Sequence, residues 1–254
     1  MPIAVIQLEL IQGVGGVREI PEPLLRSVQA VRERTEAFLF VDEIQTGMFR
    51  TGSFVRSTEK SLQPDLLTIG KGVSDMMFPF ALTLYSDRID DRLKASQSTM
   101  VEDLHTRYSF ELGYRALLNT LRRTENENVH SQVVTAGQKF QEELARQLKD
   151  VPLVKEIRCY GLLIGIELNC HNSLIQRIGL NAAQLYLLQM MRHRIFPVLM
   201  GFCQYEPNIL KFTPPLTVTD EEVAAACKTI ADTLRTSTVR LLSAGISALW
   251  RGRK

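Results

Sequence analysis

Residues 40–54 read FVDEIQTGMFRTGSF, and residues 63–72 read QPDLLTIGKG. The first stretch continues an apolar run, Ala37 to Val41 (AFLFV), that stops at Asp42 and Glu43. A short, wholly apolar run suits a strand buried on both faces, as in a parallel sheet covered by helices. The second stretch carries another such run, Leu66 to Ile69, which passes straight into Gly70-Lys71-Gly72. Two strands therefore end, one after the other, on a carboxylate and on an amine.

Upstream, Ile3 to Leu10 alternates loosely and is rich in β-formers, so it reads as a strand. Gly13, Gly15 and Gly16 break it, and Pro21 and Pro23 open the next segment. From Pro23 to about Glu36, Leu24, Leu25, Val28 and Val31 recur at helical spacing. Strand, helix, strand is the βαβ unit of an α/β fold with a mostly parallel sheet. Downstream, Phe80 to Tyr85 predicts a further strand, and residues 110–123 and 125–149 predict helices.

The pattern changes near residue 151. Val154 to Ile157 and Leu162 to Leu168 read as strands around Gly161, followed by a helix over 174–193 and strands near 195–200 and 209–213. Residues 219–235 predict a helix with Thr219 as N-cap and Asp220, Glu221 and Glu222 in its first turn. This second region reads as a smaller α+β domain. The tail from 236 to 254 is apolar with a basic end, and a helix packing on its own domain is its plainest reading.

The composition narrows the function classes. The 254 residues are 45% hydrophobic, ample for a buried core, and the charge is balanced at 30 basic to 28 acidic side chains. That balance argues against nucleic acid as a partner, since polyanion binders concentrate positive charge on one face. The four cysteines, at 159, 170, 203 and 227, form no C-x-x-C pair, and with only four histidines no metal site stands out. No apolar run reaches the roughly 20 residues of a membrane span. The N-terminal MPIAVIQLELIQG lacks a basic n-region and is interrupted by Glu9. The expectation is a soluble, cytoplasmic protein with reduced thiols and no membrane partner.

The chemistry follows from Asp42 and Lys71. A carbanion-stabilising cofactor enzyme needs a lysine to form a Schiff base with an aldehyde and a carboxylate to keep a pyridine nitrogen protonated. In open α/β sheets such groups sit at the carboxyl ends of strands. An isolated Asp and an isolated Lys would be read as a structural ion pair or as unrelated surface residues. The flanking letters decide otherwise.

Residues 40–72 closely resemble the class III (ornithine-type) aminotransferases that use pyridoxal 5'-phosphate (PLP). The motif of that family runs D-E-[VI]-Q-T-G-x-x-R-T-G, then P-D, then a lysine followed by a small residue. The segment I-Q-G-V-G-G at 11–16 resembles the family's E-P-x-x-G-x-x-G. L-K-F-T-P-P-L at 210–216 resembles its [RK]-[FILV]-x-P-P-L element. The resemblance covers about residues 5 to 235.

It implies a fold-type I PLP-transferase-like α/β fold. Residues 1–150 would be part of the PLP-binding large domain, 151–235 the small C-terminal domain and 236–254 an apolar and basic tail. It implies transamination between a small-molecule amino donor and an aldehyde or keto acceptor, in a homodimer with the active site at the subunit interface. Lys71 would hold the cofactor and shuttle the proton. Asp42 would pair with the pyridinium nitrogen, Gln45 would sit near the phenolic oxygen, and Ile44 would pack on a ring face. Glu9 matches the family's first Glu, close to the substrate. Arg50 and Thr51 would build the turn after the Asp42 strand.

Three departures from the family pattern bear on function. Lys211 stands where many members place an arginine that clamps a substrate α-carboxylate. A lysine is a point charge and lacks the planar fork. This expectation favours a substrate without an α-carboxylate or one attached to a carrier. The phosphate-contacting H-x-S-T-F-G-G-N-P segment reads HTRYSFELG at 105–113, leaving Thr106 and Ser109 as candidates, with Thr106 favoured. Residue 1 falls where the family's large domain is about half built. The phosphate cradle of the missing part would come from another chain, or the chain is a partial reading frame.

Two other functions stay open on the sequence. One is a PLP-dependent aminomutase of the same fold, and the other an inactive truncated remnant or assembly module.

Overall fold

The computed structural model describes residues 4–74, 76–169, 182–237 and 240–241. The chain forms two compact units, one of residues 1–11 and 19–131, the other of residues 12–18 and 132–254.

The first unit is built on a four-stranded sheet. In chain order it comprises β1 (Val5–Leu8), the first residue of the short β2 (Ile11–Gln12), the last residue of β3 (Arg18–Glu19), α1 (Glu22–Thr35) and β4 (Phe38–Asp42). Then come α2 (Arg56–Glu59), β5 (Leu66–Ile69), a 3-10 turn over Lys71–Ser74, β6 (Leu82–Tyr85), α3 (Asp87–Ala95), α4 (Met100–Tyr108) and α5 (Glu111–Asn126). The sheet order is β1-β4-β5-β6. The first three strands run parallel and β6 runs antiparallel to β5. This is the mostly parallel α/β sheet expected from the sequence.

Burial along β4 alternates, which corrects the expectation of a strand buried on both faces. Leu39 and Val41 are buried, whereas Phe38, Phe40 and Asp42 are half-buried. The reason is one-sided cover. Leu39 and Val41 join Leu10, Leu25 of α1 and Leu62 in one apolar cluster, with Val28 packed against it. On β5, Leu67 and Ile69 pack with Met48, Val73 and Leu117 of α5. Pro23 sits at the start of α1, where its missing N–H costs nothing.

Besides residues 12–18, the second unit contains α6 (Val129–Leu148), whose first residues belong to the first unit. It continues with β7 (Val154–Tyr160), β8 (Leu163–Leu168), α7 (Ala182–Met191), β9 (Gly201–Phe202), β10 (Ile209–Phe212) and α8 (Asp220–Leu234). Its sheet runs β7-β8-β10-β9, with antiparallel pairings throughout. All six residues of β8 are buried. Gly161, at φ +56°, closes the β7–β8 hairpin in a conformation L-residues rarely adopt. Thr219 caps α8 as expected: its hydroxyl accepts from Glu222 N–H, and the Glu222 carboxylate accepts from Thr219 N–H.

The strand expected near 195–200 does not form. Pro197 cannot donate to a ladder. Val198 N–H instead donates to Met190 O (3.1 Å), and Thr229 Oγ1 donates to Phe196 O (2.8 Å). Helices α3 and α4 were not expected from the sequence. Of the expected 174–193 helix, residues 182–191 are helical and 174–181 lie outside the described residues. Cys170 and most of the 236–254 tail lie outside them as well.

Candidate active site

Strand register at the carboxyl end of the first sheet builds this site. Leu8 is the partner of Val41, and Asp42 is the partner of Thr68. Partners in register project to the same face, and alternation sends neighbours to the other. Val41 and Leu67 therefore point into the core while Asp42 and Thr68 share the opposite face. Thr83 of β6 is the partner of Thr68, and the two hydroxyls stand 3.4 Å apart. Asp42, Thr68 and Thr83 make a polar row across three strands. Glu9 follows β1 directly and is half-buried.

Beyond Asp42 the chain turns sharply. Asp42 Oδ1 accepts from Ile44 N–H (2.9 Å), which fixes one carboxylate oxygen within two residues of the strand end. Glu43 N–H donates to Thr68 O (2.9 Å), and Gly47 N–H donates to Glu43 O (2.8 Å). A Cβ at Gly47 would lie 2.8 Å from Glu43 O, so only glycine lets the turn close this tightly. Gln45 is half-buried in the same turn.

The turn continues through Met48, Phe49 and Gly52, all at positive φ. Thr51 Oγ1 donates back to Thr46 O (3.3 Å), and His130 Nδ1 lies 3.0 Å from Gly52 O. Burial lowers the Arg50 guanidinium to about 10.

Lys71 begins on the neighbouring strand end. Gly70 follows β5, and a Cβ there would stand 3.4 Å from Ile44 Cγ2, so Ile44 lies over the residue before the lysine. Lys71 is exposed and sits at φ +49°, a left-handed conformation uncommon for a residue with a Cβ. Behind it, Val73 is fully buried, and Ser74 Oγ donates to Phe78 O (2.7 Å). A strained backbone position next to a rigid turn is the kind of feature that clusters at functional sites.

These residues offer a primary amine on a constrained turn, a carboxylate at the adjacent strand end and an aliphatic side chain beside them. That donor set fits an aromatic aldehyde carrying a basic ring nitrogen. Among the described residues no group of three or more His, Cys, Asp or Glu could hold a metal ion. Nor is any described helix long and apolar enough to cross a membrane.

The remaining candidates lie elsewhere. Thr106 is exposed on α4, one residue after His105, and Ser109 is the residue that ends that helix. The segment 105–108 is thus helical. Lys211 belongs to the second unit, on β10 opposite Gly165 and Gly201. Its Nζ donates to Gly13 O (3.2 Å) in the glycine loop of the same unit.

Sequence reasoning gave Glu43 no role of its own. The signal was available, since alternation after Val41 and Asp42 turns Glu43 inward, where a carboxylate must be satisfied. Thr68 went unnoticed because only the register reveals that it flanks Asp42.

Comparison with known proteins identifies the family. The family model for class III aminotransferases matches residues 1–234. The chain is 30% identical over 225 residues to the acetylornithine aminotransferase of Bacillus subtilis, covering 88% of this chain and 52% of that protein. It is 28% identical to the diaminobutyrate–2-oxoglutarate aminotransferase of Rhizobium meliloti, covering 87% of this chain and 46% of that protein. The ornithine aminotransferase structure from Toxoplasma gondii, in which PLP partly occupies the active site, is 26% identical. It superposes with a TM-score of 0.72 over 90% of this chain and 50% of that one. The chain spans about half the length of the curated relatives it matches. With a family model matching residues 1–234, the chain belongs to the class III aminotransferases.

Proposed function

We propose that the chain serves PLP-dependent transamination between a small-molecule amino donor and an aldehyde or keto acceptor. The observation that carries this reading is the register of β4 against β5, which sets Asp42 and the turn into Lys71 on adjacent parallel strand ends. When bound, PLP supplies an electron sink for the charge left at the substrate carbon as its proton departs.

The chain's own residues do the rest. Lys71 Nζ would hold the cofactor's aldehyde and, as a primary amine on the constrained turn, would serve as the base that moves the substrate proton. Asp42, with one carboxylate oxygen already accepting from Ile44 N–H, would keep the ring nitrogen protonated. Ile44 would pack on a ring face, and Gln45 would sit near the phenolic oxygen. Glu9, one residue past β1, faces the substrate side. The unit that contains residues 19–131 is then part of the PLP-binding large domain.

The Lys211 ammonium is a point charge already engaged with Gly13 O, which favours a substrate without an α-carboxylate or one on a carrier. Homodimer assembly in the cytoplasm completes the reading, with Thr106 meeting the phosphate across the subunit interface. Exposed Met76, Met77, Leu104 and Tyr108 supply apolar surface of the kind subunits bury.

The test is borohydride reduction of the chain mixed with PLP, followed by peptide mapping. The expected result is one phosphopyridoxyl group on Lys71, absent in Lys71→Ala together with the visible absorption band. Labelling spread over other lysines, or a band that survives Lys71→Ala, overturns the assignment.

A further inference from the structure

Glu43 is the most completely engaged buried carboxylate near this site. It is 1% exposed. Its Oε2 accepts from the Thr46 hydroxyl and from Arg56 N–H (2.9 Å), and its Oε1 accepts from Ser57 N–H (2.6 Å). Its backbone is tied as firmly, through N–H to Thr68 O and through C=O from Gly47 N–H. Arg56 and Ser57 are the first residues of α2, whose opening N–H groups have no partner within the helix. One side chain thus joins the end of β4, the turn at 43–47 and the start of α2. The residues on either side of it are Asp42 and Ile44.

Burying a carboxylate is costly unless hydrogen bonds satisfy it. Here two backbone N–H groups and a hydroxyl do so, all from a segment 13 or 14 residues along the chain or from the turn itself. A surface-solvated residue would serve a loop better if the only task were to end a strand. A satisfied buried carboxylate instead locks a loop into one geometry.

We propose that Glu43 is a positioning residue for the cofactor site: it fixes the backbone of residues 42–47 so that Asp42, Ile44 and Gln45 hold their places beside Lys71. It does not itself touch cofactor or substrate. The inference rests on the transaminase reading above.

The experiment compares the unaltered chain with Glu43→Ala and Glu43→Gln, with and without PLP. Without PLP, hydrogen exchange followed by mass spectrometry reads the clamp. The expected result in Glu43→Ala is exchange at least about 10-fold faster in peptides covering 42–47 and 55–58, with the β7–β8 hairpin unchanged. Glu43→Gln keeps one acceptor oxygen and should fall between, and it stands in if Glu43→Ala fails to fold. With PLP, borohydride should still label Lys71 in both variants. The affinity for PLP should drop by about 10-fold or more in Glu43→Ala, and the pH midpoint of the visible band should move, since Asp42 no longer has a fixed geometry. A purely structural role would leave that midpoint in place.

Unchanged exchange at 42–47, or an unchanged pH midpoint and affinity, overturns the proposal. If the unaltered chain neither develops a band nor labels at Lys71, the transaminase reading fails and the positioning role falls with it, even where the exchange data show the clamp.

Discussion

Asp42 and Thr68 are in-register partners on adjacent parallel strands, so the chain reaches Lys71 three residues beyond the partner of Asp42. This relationship fixes the carboxylate by the sheet itself, which is more rigid than a loop, and starts the turn into Lys71 from the neighbouring strand end. If Asp42 sustains the charge on the cofactor ring, Asp42→Asn should leave borohydride labelling of Lys71 intact, because the amine is untouched. The rate of amino transfer from donor to cofactor should fall by about 100-fold or more, as expected for loss of a preorganised electrostatic group. Stopped-flow absorbance of the half-reaction measures both. A rate within a factor of about three of the unaltered chain would remove Asp42 from the mechanism.

At the opposite end of the same strands, Asp65 acts as a tether. It is 2% exposed, and its Oδ2 accepts from Leu39 N–H (2.8 Å) and from the Arg32 guanidinium (2.9 Å). Arg88 approaches the same carboxylate at 3.3 Å. Both arginines are partly solvated, so their share is modest, and the larger loss on truncation is the orphaned Leu39 N–H inside the sheet. Asp65→Ala should therefore destabilise the first unit by about 2–3 kcal/mol. Asp65→Asn should cost less, because an amide oxygen can still accept from Leu39. Urea unfolding followed by circular dichroism decides this, and equal stability of all three chains would show that the tether is unimportant.

The elements around the site were legible because each rests on a local signal. Leu66 to Ile69 is bounded by Asp65 and Gly70, and Thr219 announces α8 through Glu222. The residues that make the site work together were less visible. Thr68 gains its place from a register between strands that sequence alternation alone does not set. Phe38 and Phe40 look like core residues in a one-letter run, yet helical cover falls on Leu39 and Val41 only. The segment 195–200 has the apolar content of a strand, but Thr229 and Met190 claim its backbone before a ladder can. Helix α3 was missed because it is short and mostly charged, and its apolar pair, Ile89 and Leu93, is only half-buried.

In the second unit, Gly137 of α6 lies directly on the hairpin turn. A Cβ there would come within 2.6 Å of Gly161 O and 2.9 Å of Gly161 Cα. These are backbone atoms that cannot rotate away, so helix and hairpin must separate to admit a methyl group. Gly137→Ala would normally favour a helix by about 1 kcal/mol. Overpacking should reverse that sign and leave a net loss of about 1–2 kcal/mol. The measurement is the same urea titration, and a stabilised Gly137→Ala chain would mean that α6 stands off the turn in solution.

The same unit should lose stability in acid, in a window set by Glu167. This carboxylate is buried, and burial by itself pushes it up. Donation from Lys155 and Arg158 outweighs that and holds it below its ordinary value of 4.5. Arg158 in turn is held up by Glu156 and Glu167 against its own burial, and donates to Gly16 O (2.8 Å). A depressed native value means that above pH 4.5 the pair contributes fully. As the pH falls through the native value, the unfolded chain binds a proton that the native chain has not, and the contribution drains away. The slope from one such group is at most about 1.4 kcal/mol per pH unit. Glu167→Gln should be less stable at pH 7, because it leaves the buried Arg158 with only the solvated Glu156 carboxylate. It should also show a flatter dependence of stability on pH below 4.5 than the unaltered chain. Unfolding midpoints at closely spaced pH values test the slope, and parallel curves for the two chains would show that Glu167 titrates alike in both states.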